Sequence, residues 1–214
     1  YGNAYKEAKE VVDATYSTGS TSTASCFNFS NSLTTNRKDY NSIIMTFFKS
    51  TCYEDYLPYM TKGNDVVLVV NTTNLFGDEA GADDRNLDLF GDWDGGDIKY
   101  SFKYDIKEGT SGTDMIPAIR LSEMYYIMGE YFAYKDEFSK AGEMLDKVRY
   151  ARGISTTNLA SSIGSLEVFH THLIKEMRRE FVGEGQMFFQ YKRLDQKPKD
   201  NVVFVFDKPN NEDI

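Results

Sequence analysis

Cysteine, tryptophan, histidine and net positive charge are all scarce in this 214-residue chain, and each shortage narrows what the protein can be. Cys26 and Cys52 lack the paired short spacings of a zinc module, so they form either one disulfide or two separate thiols. With 33 acidic against 24 basic side chains the net charge is -9, and repulsion makes nucleic-acid backbones and anionic lipid headgroups poor partners. No run approaches the roughly 18 apolar residues that could span a bilayer, and the opening YGNAYKEAKE shows neither a signal-type apolar core nor a lipid-attachment cysteine. His170 and His172 stand two apart on a predicted helix, about 200° apart around it, so they cannot ligate one metal from one face. They read as solvated surface, and neither a metal nor a cofactor is expected.

A hydrophobic fraction of 41% and 15 Tyr with 15 Phe supply enough apolar surface for a folded body, with one domain as the default at this length. AYKEAKEVVDATY places Ala4, Ala8, Val11 and Thr15 on one helical face, and the Ser/Thr/Asn-rich loop after it offers no adjacent partner helix. That face must pack on something distant or on residues missing from this chain. SIIMTFF before Pro58 is open between strand and helix, and DVVLVVN (65–71) is the clearest strand. Residues 77–97 read as a long acidic loop, followed by an exposed strand in IKYSFKYD.

The later half is helical. Pro117 suits a first turn, with Leu121, Met124, Tyr125, Met128 and Phe132 at helical spacing after it. The link KDE leads to a second helix with Phe138, Ala141, Leu145 and Val148, closed by Gly153 in the left-handed conformation. So short a link predicts an antiparallel pair, and Gly129 and Gly142 would permit close approach. A third helix over about 165–183 carries Leu166, Leu173, Ile174, Met177 and Phe181 behind an N-cap at Ser165.

Charge is concentrated on these helices. Glu176, Glu180 and Glu184 recur every four residues with Arg178 and Arg179 beside them, and Arg120, Glu123 and Glu130 lie on the first long helix. Two carboxylates could flank a glycosidic bond, but Glu123 and Glu130 are separated by about 10.5 Å of helix rise, too far for a rigid pair. Arginines beside Glu176 and Glu180 should lower both pKa values, which is wrong for a proton donor. All eight residues are therefore read as structural ion pairs between helices, with no catalytic residue and no enzyme.

PAIRLSEMYYIMGEY, AGEMLDKVRYARG and LIKEMRREFVGEGQMFFQYKRL, in this order, resemble the SusD/RagB family, and Pro209 to Glu212 resembles its closing P-x-x-E. The sequence departs from the family pattern at Met177 and Met187, where Arg is usual, and at Gln190, where Asp is usual. An ion pair tolerates loss of both partners because no charge is stranded. The resemblance implies a mainly α fold: tetratricopeptide-like helical hairpins with a loop-rich region containing a few short strands. It implies one domain over 1–214, divided into a helix and mixed region (1–112), a helical region (113–195) and a tail (196–214). Since family members are about twice as long, a C-terminal fragment is expected. It further implies a non-catalytic, surface-exposed outer-membrane lipoprotein of Bacteroidetes-type bacteria that captures oligosaccharide or polysaccharide for a SusC-like TonB-dependent transporter. A RagB-like peptide binder, or a transporter-docking scaffold with no glycan site, is the alternative.

Glycans are held by aromatic faces and by carboxylates or amides that bond their hydroxyls. FGDWDGGDIKY offers Asp92, Trp93, Asp94 and Tyr100, and Trp93 serves equally as a ligand contact or as an anchor for its loop. DWDGGD does not keep the spacing of a calcium loop. Tyr53, Tyr56 and Tyr59 recur every three residues, as on a packed helical face.

Overall fold

The computed structural model describes residues 1–18, 22–35, 37–49, 55, 69–92, 95, 98–101, 103–104, 115–156 and 158–195. Trp93, Asp94, Cys52, Tyr53, Tyr56, Pro58, Tyr59, residues 65–68 and the closing 196–214 lie outside them, and Cys26 is exposed. In chain order the elements are α1 (Gly2–Asp13), β1 (Thr15–Ser17), β2 (Thr23–Ser25), β3 (Ile43–Phe48), β4 (Val69–Asn71), α2 (Thr72–Phe76) and α3 (Asp84–Leu89). Then come β5 (Phe90–Asp92), β6 (Ile98–Ser101), β7 (Met115–Arg120), α4 (Leu121–Ala133), α5 (Phe138–Ala151), α6 (Leu166–Glu180) and α7 (Gln186–Asp195). The fold is mainly α, with helical hairpins late in the chain and short antiparallel strand pairs before them.

The predicted hairpin forms from α4 and α5. Ala141, Leu145 and Val148 are fully buried against Tyr126, Ala133, Leu159, Phe169, Leu173, Met177 and Phe181, making one apolar core. Gly153 ends α5 at φ +83°, and a Cβ there would stand 2.6 Å from the Ala82 carbonyl. The chain therefore turns tightly enough for Asp84 N–H to donate to Arg152 O at 2.9 Å, docking the end of α5 onto the start of α3. Ser165 caps α6 by accepting from Val168 N–H at 3.2 Å.

α4 has two buried sides, because it packs against α1 as well as α5 and α6. For this reason Tyr126, Gly129 and Ala133 are buried, while Met124, Tyr125 and Phe132 of the expected stripe are only partly covered. The distant partner of α1 is thus α4: Tyr1 stacks on Tyr134 at 4.4 Å and Tyr5 on Tyr131 at 4.2 Å between ring centroids. The close approach at Gly142 is to Ala160, 2.6 Å from where a Cβ would be, and Gly129 instead makes room for the Phe169 ring.

Four expectations are corrected. Pro117 lies in β7 opposite Thr46, not in the helix, and α4 begins at Leu121; a two-stranded sheet tolerates the missing N–H. The acidic stretch 77–97 is not all loop, since Asp83 accepts from Arg85 N–H at 3.0 Å and caps α3. The polar stretch after α1 forms the β1–β2 hairpin. His170 is buried, with Tyr134 Oη 3.3 Å from its Nε2, because α6 has neighbours on two sides. A second core of Leu33, Leu75, Phe76, Leu89 and Phe90 lies under the strands and short helices.

Candidate functional site

Two places can be weighed as the functional site: the charges gathered around α6 and the sheet carrying the predicted ligand residues. Around α6, Glu176, Glu180 and Arg179 are buried. Arg85 grips Asp83 through Nε at 2.9 Å and Nη2 at 2.7 Å, and reaches Glu176 at 2.9 Å and Glu180 at 3.2 Å. From the end of α5, Arg152 donates to Glu180 at 2.5 Å and to Asp39 at 2.8 Å. Arg179 binds Glu79 at 2.7 Å and Glu176 at 2.9 Å, and also the carbonyls of Leu75 and Phe76. Burial opposes the charge of Glu180, but the guanidinium groups of Arg152 and Arg85 outweigh it and hold this carboxyl well below the usual range.

α6 ends at Glu180, so Glu184 comes from the following turn, where Gly183 and Gly185 have φ of +76° and +70°. It accepts from Arg120 Nη2 at 2.6 Å, Lys103 Nζ at 2.6 Å and Tyr104 Oη at 2.9 Å. Glu130 accepts two bonds from Arg193 at 2.8 Å, and Gln190 accepts from the same guanidinium at 3.0 and 2.8 Å. An amide at position 190 therefore still orients Arg193, while Met177 and Met187 pack into the apolar core. Glu123 is not in an ion pair of this kind: its carboxylate accepts Arg120 N–H at 2.8 Å, and burial pushes it up to about 7, helped by the charge of Glu184. Arg178 is exposed and makes no ion pair among the described residues, because it points about 100° away from Arg179 around the helix.

Sequence reasoning missed Asp39, Glu79, Asp83, Arg85, Lys103, Arg149 and Arg152, which supply most of the partners. A lone arginine inside the acidic run DDRNLD, and two arginines at the end of an apolar helix, were the available signals. The void among these charges is about 10 Å³, room for roughly one water, so no sugar or peptide enters. Glu176 and Glu180 are closed to any substrate.

The sheet is different. Cross-strand register pairs Gly91 with Tyr100 and Asp92 with Lys99, so Asp92 and Tyr100 face opposite sides. Asp92 binds Lys99 at 2.5 Å. The Tyr100 ring lies across Gly91, where a Cβ would be 2.7 Å from it, and Val69, its other cross-strand neighbour, is exposed. Tyr100 is partly exposed on this outer face, while Val70 and Phe90 turn toward the second core. Among the described residues no His, Cys, Asp or Glu cluster could hold a metal, and no helix is long and apolar enough to cross a membrane.

A SusD family model matches residues 98–211, more than half of the chain. Among solved structures, a SusD superfamily protein from Bacteroides thetaiotaomicron is similar at a TM-score of 0.62 and 22% identity, over 90% of this chain and 46% of that one. Surface glycan-binding protein A from Bacteroides uniformis is similar at 0.59 and 18% identity, over 88% and 44%. A SusD-like carbohydrate binding protein from Bacteroides vulgatus is similar at 0.50 and 21% identity, over 73% and 35%. The chain thus spans less than half the length of each, and at these identities the likeness is one of fold. No curated protein matches. The family model rests on the segment that supplies α4 to α7 and Glu184, the framework on which the buried charges are arranged, and the chain belongs to the SusD family.

Proposed function

We propose that this chain is part of a non-catalytic glycan-binding protein, held as a lipoprotein on the outer-membrane surface, which captures oligosaccharide for a SusC-like TonB-dependent transporter. The observation that carries this reading is the partly exposed Tyr100 ring, its hydroxyl end against Gly91, on the outer face of the β4–β6–β5 sheet. A partly exposed aromatic on a rigid strand is a stacking surface for the C–H face of a sugar ring. The β5–β6 connection, one residue beyond Asp92, carries Trp93 and Asp94, an aromatic and a hydroxyl-binding group of the kind such a site needs. Support also comes from family membership and from a structural neighbour described as a surface glycan-binding protein. Of the carboxylates weighed for hydrolysis, Glu130, Glu176 and Glu180 are bound by arginine side chains, and Glu123 is engaged by the Arg120 N–H.

Affinity electrophoresis of the chain against a polysaccharide panel, with Tyr100→Ala, Gly91→Ala and Trp93→Ala alongside, tests this. Retardation on at least one glycan, weakened on the order of tenfold by Tyr100→Ala through loss of one ring contact, is expected. Binding unchanged in all three variants would move the site elsewhere. No binding to any glycan would favour a transporter-docking scaffold, for which the exposed pairs Phe47 with Phe48 and Phe188 with Phe189 provide apolar surface.

A further inference from the structure

Among the described residues the void beside α6 is lined by Arg37, Arg85, Lys103, Arg120 and Arg152 and by two carboxylates, Asp39 and Glu180. All of these side chains are buried except Arg37, which is half-exposed. Arg152 is 2% exposed, yet its Nη1 has no hydrogen-bond partner among the described residues. A buried guanidinium nitrogen without an acceptor is costly, and an arginine cannot shed its proton to escape that cost.

The acceptors at hand are already engaged. Asp39 takes Ser30 N–H on Oδ1 at 2.7 Å and Arg152 Nη2 on Oδ2 at 2.8 Å. Glu180 takes Arg152 Nη2 on Oε1 at 2.5 Å, and Arg85 Nη1 and Arg152 Nε on Oε2, each at 3.2 Å. Behind this layer Glu184 satisfies Lys103 and Arg120, while Asp83 and Glu176 satisfy Arg85. A monatomic anion needs donors only, and Arg152 Nη1 is a buried donor; an ordered water donating to the remaining lone pairs of Asp39 or Glu180 is the competing occupant, which the bromide crystals below tell apart. The space of about 10 Å³ takes one such particle and rejects sulfate, phosphate or a carboxylate ligand.

We infer that this void is a binding site for a single halide-sized anion, chloride in the cell, held by Arg152 Nη1 and the cationic groups around it. The ion gives Arg152 Nη1 the acceptor it lacks among the described residues, at the junction of α3, α5 and α6. It stabilises the folded chain by mass action, since the unfolded chain has no such cage.

Crystals of the chain grown in bromide should show one anomalous peak in contact with Arg152 Nη1. Thermal unfolding of the same chain should shift upward in sodium chloride relative to sodium gluconate at equal ionic strength, by about 3 °C at ten times the dissociation constant. Arg152→Lys, which keeps a cation beside Glu180 but removes Nη1, should lose the chloride-specific shift. An ordered water in place of bromide, or equal midpoints in chloride and gluconate, overturns the inference. So does a bromide peak without a chloride-specific shift. Should Arg152→Lys fail to fold, the bromide crystals and the two salts decide on the wild-type chain.

Discussion

Residues 121–181 bury Leu145, Val148, Phe169, Leu173 and Phe181 against one another, whereas residues 30–104 reach the same helices largely through guanidinium and carboxylate groups. The helical region would retain most of its packing if every charge were made neutral. Among the described residues the strand-and-loop region has a small core of its own, around Leu33, Leu75, Phe76, Leu89 and Phe90, and is tied to the helices through Arg85, Lys103 and Asp39. Buried ion pairs contribute little net stability because desolvation offsets their attraction, but they punish misplacement severely. A region with few apolar contacts is therefore positioned by charge, and one with many is positioned by shape.

The largest test of this contrast sets Glu180→Ala beside Leu145→Ala. Removing Glu180 takes the acceptor from Arg85 Nη1 and Arg152 Nε and leaves both guanidinium groups under-paired, which should cost about 3–5 kcal/mol. Removing the Leu145 side chain should cost about 2–5 kcal/mol through transfer and cavity effects. Urea denaturation measures both, and hydrogen exchange separates them: Glu180→Ala should loosen the amides of residues 83–89 ahead of α5. Uniform loosening of both regions by Glu180→Ala would break the comparison.

A smaller effect is expected with pH. The Glu123 carboxyl lies at about 7 in the folded protein against an ordinary 4.5, so between those values the folded chain binds more protons than the unfolded one. Its contribution to stability thus falls as pH rises from 4.5 to 7. Glu180 and Glu184 are held below the ordinary value, by Arg152 and Arg85 and by Lys103 and Arg120 respectively. Their contribution is present above 4.5 and is lost as pH falls. Urea midpoints across this range should fall on the upper side for wild type, and Glu123→Gln should remove that fall while leaving the acid limb. Comparison of the two proteins separates Glu123 from His172, whose pKa is lowered by burial and by Arg149 and which has the opposite slope below 6.5. An unchanged upper limb in Glu123→Gln would show that the carboxyl is not strained by burial.

The smallest expected effect belongs to Arg178→Ala, within about 0.5 kcal/mol of wild type by urea denaturation, because the side chain is exposed. Arg179→Ala, one residue along, removes bonds to Glu79, Glu176 and two carbonyls, and should be destabilising by several-fold more. Equal effects would mean that the inward and outward faces of α6 are not energetically distinct.

Residue order alone determined the local elements with strong periodicity or strong caps. Phe138 to Val148 and Leu166 to Phe181 carry helical spacing, Ser165 and Gly153 mark their ends, and the four-residue recurrence of Glu176, Glu180 and Glu184 announced a charged stripe. The tertiary structure decided which guanidinium meets which carboxylate. Arg85 and Glu180 are 95 positions apart, and nothing local distinguishes an arginine that will be buried from one that will be solvated, as Arg178 and Arg179 show. Only folding also revealed that α4 is covered on two sides, that His170 is buried, and that Asp92 and Tyr100 face opposite ways. Helical period and capping are set by neighbours along the chain, whereas burial and charge pairing depend on surfaces that exist only once distant segments have met.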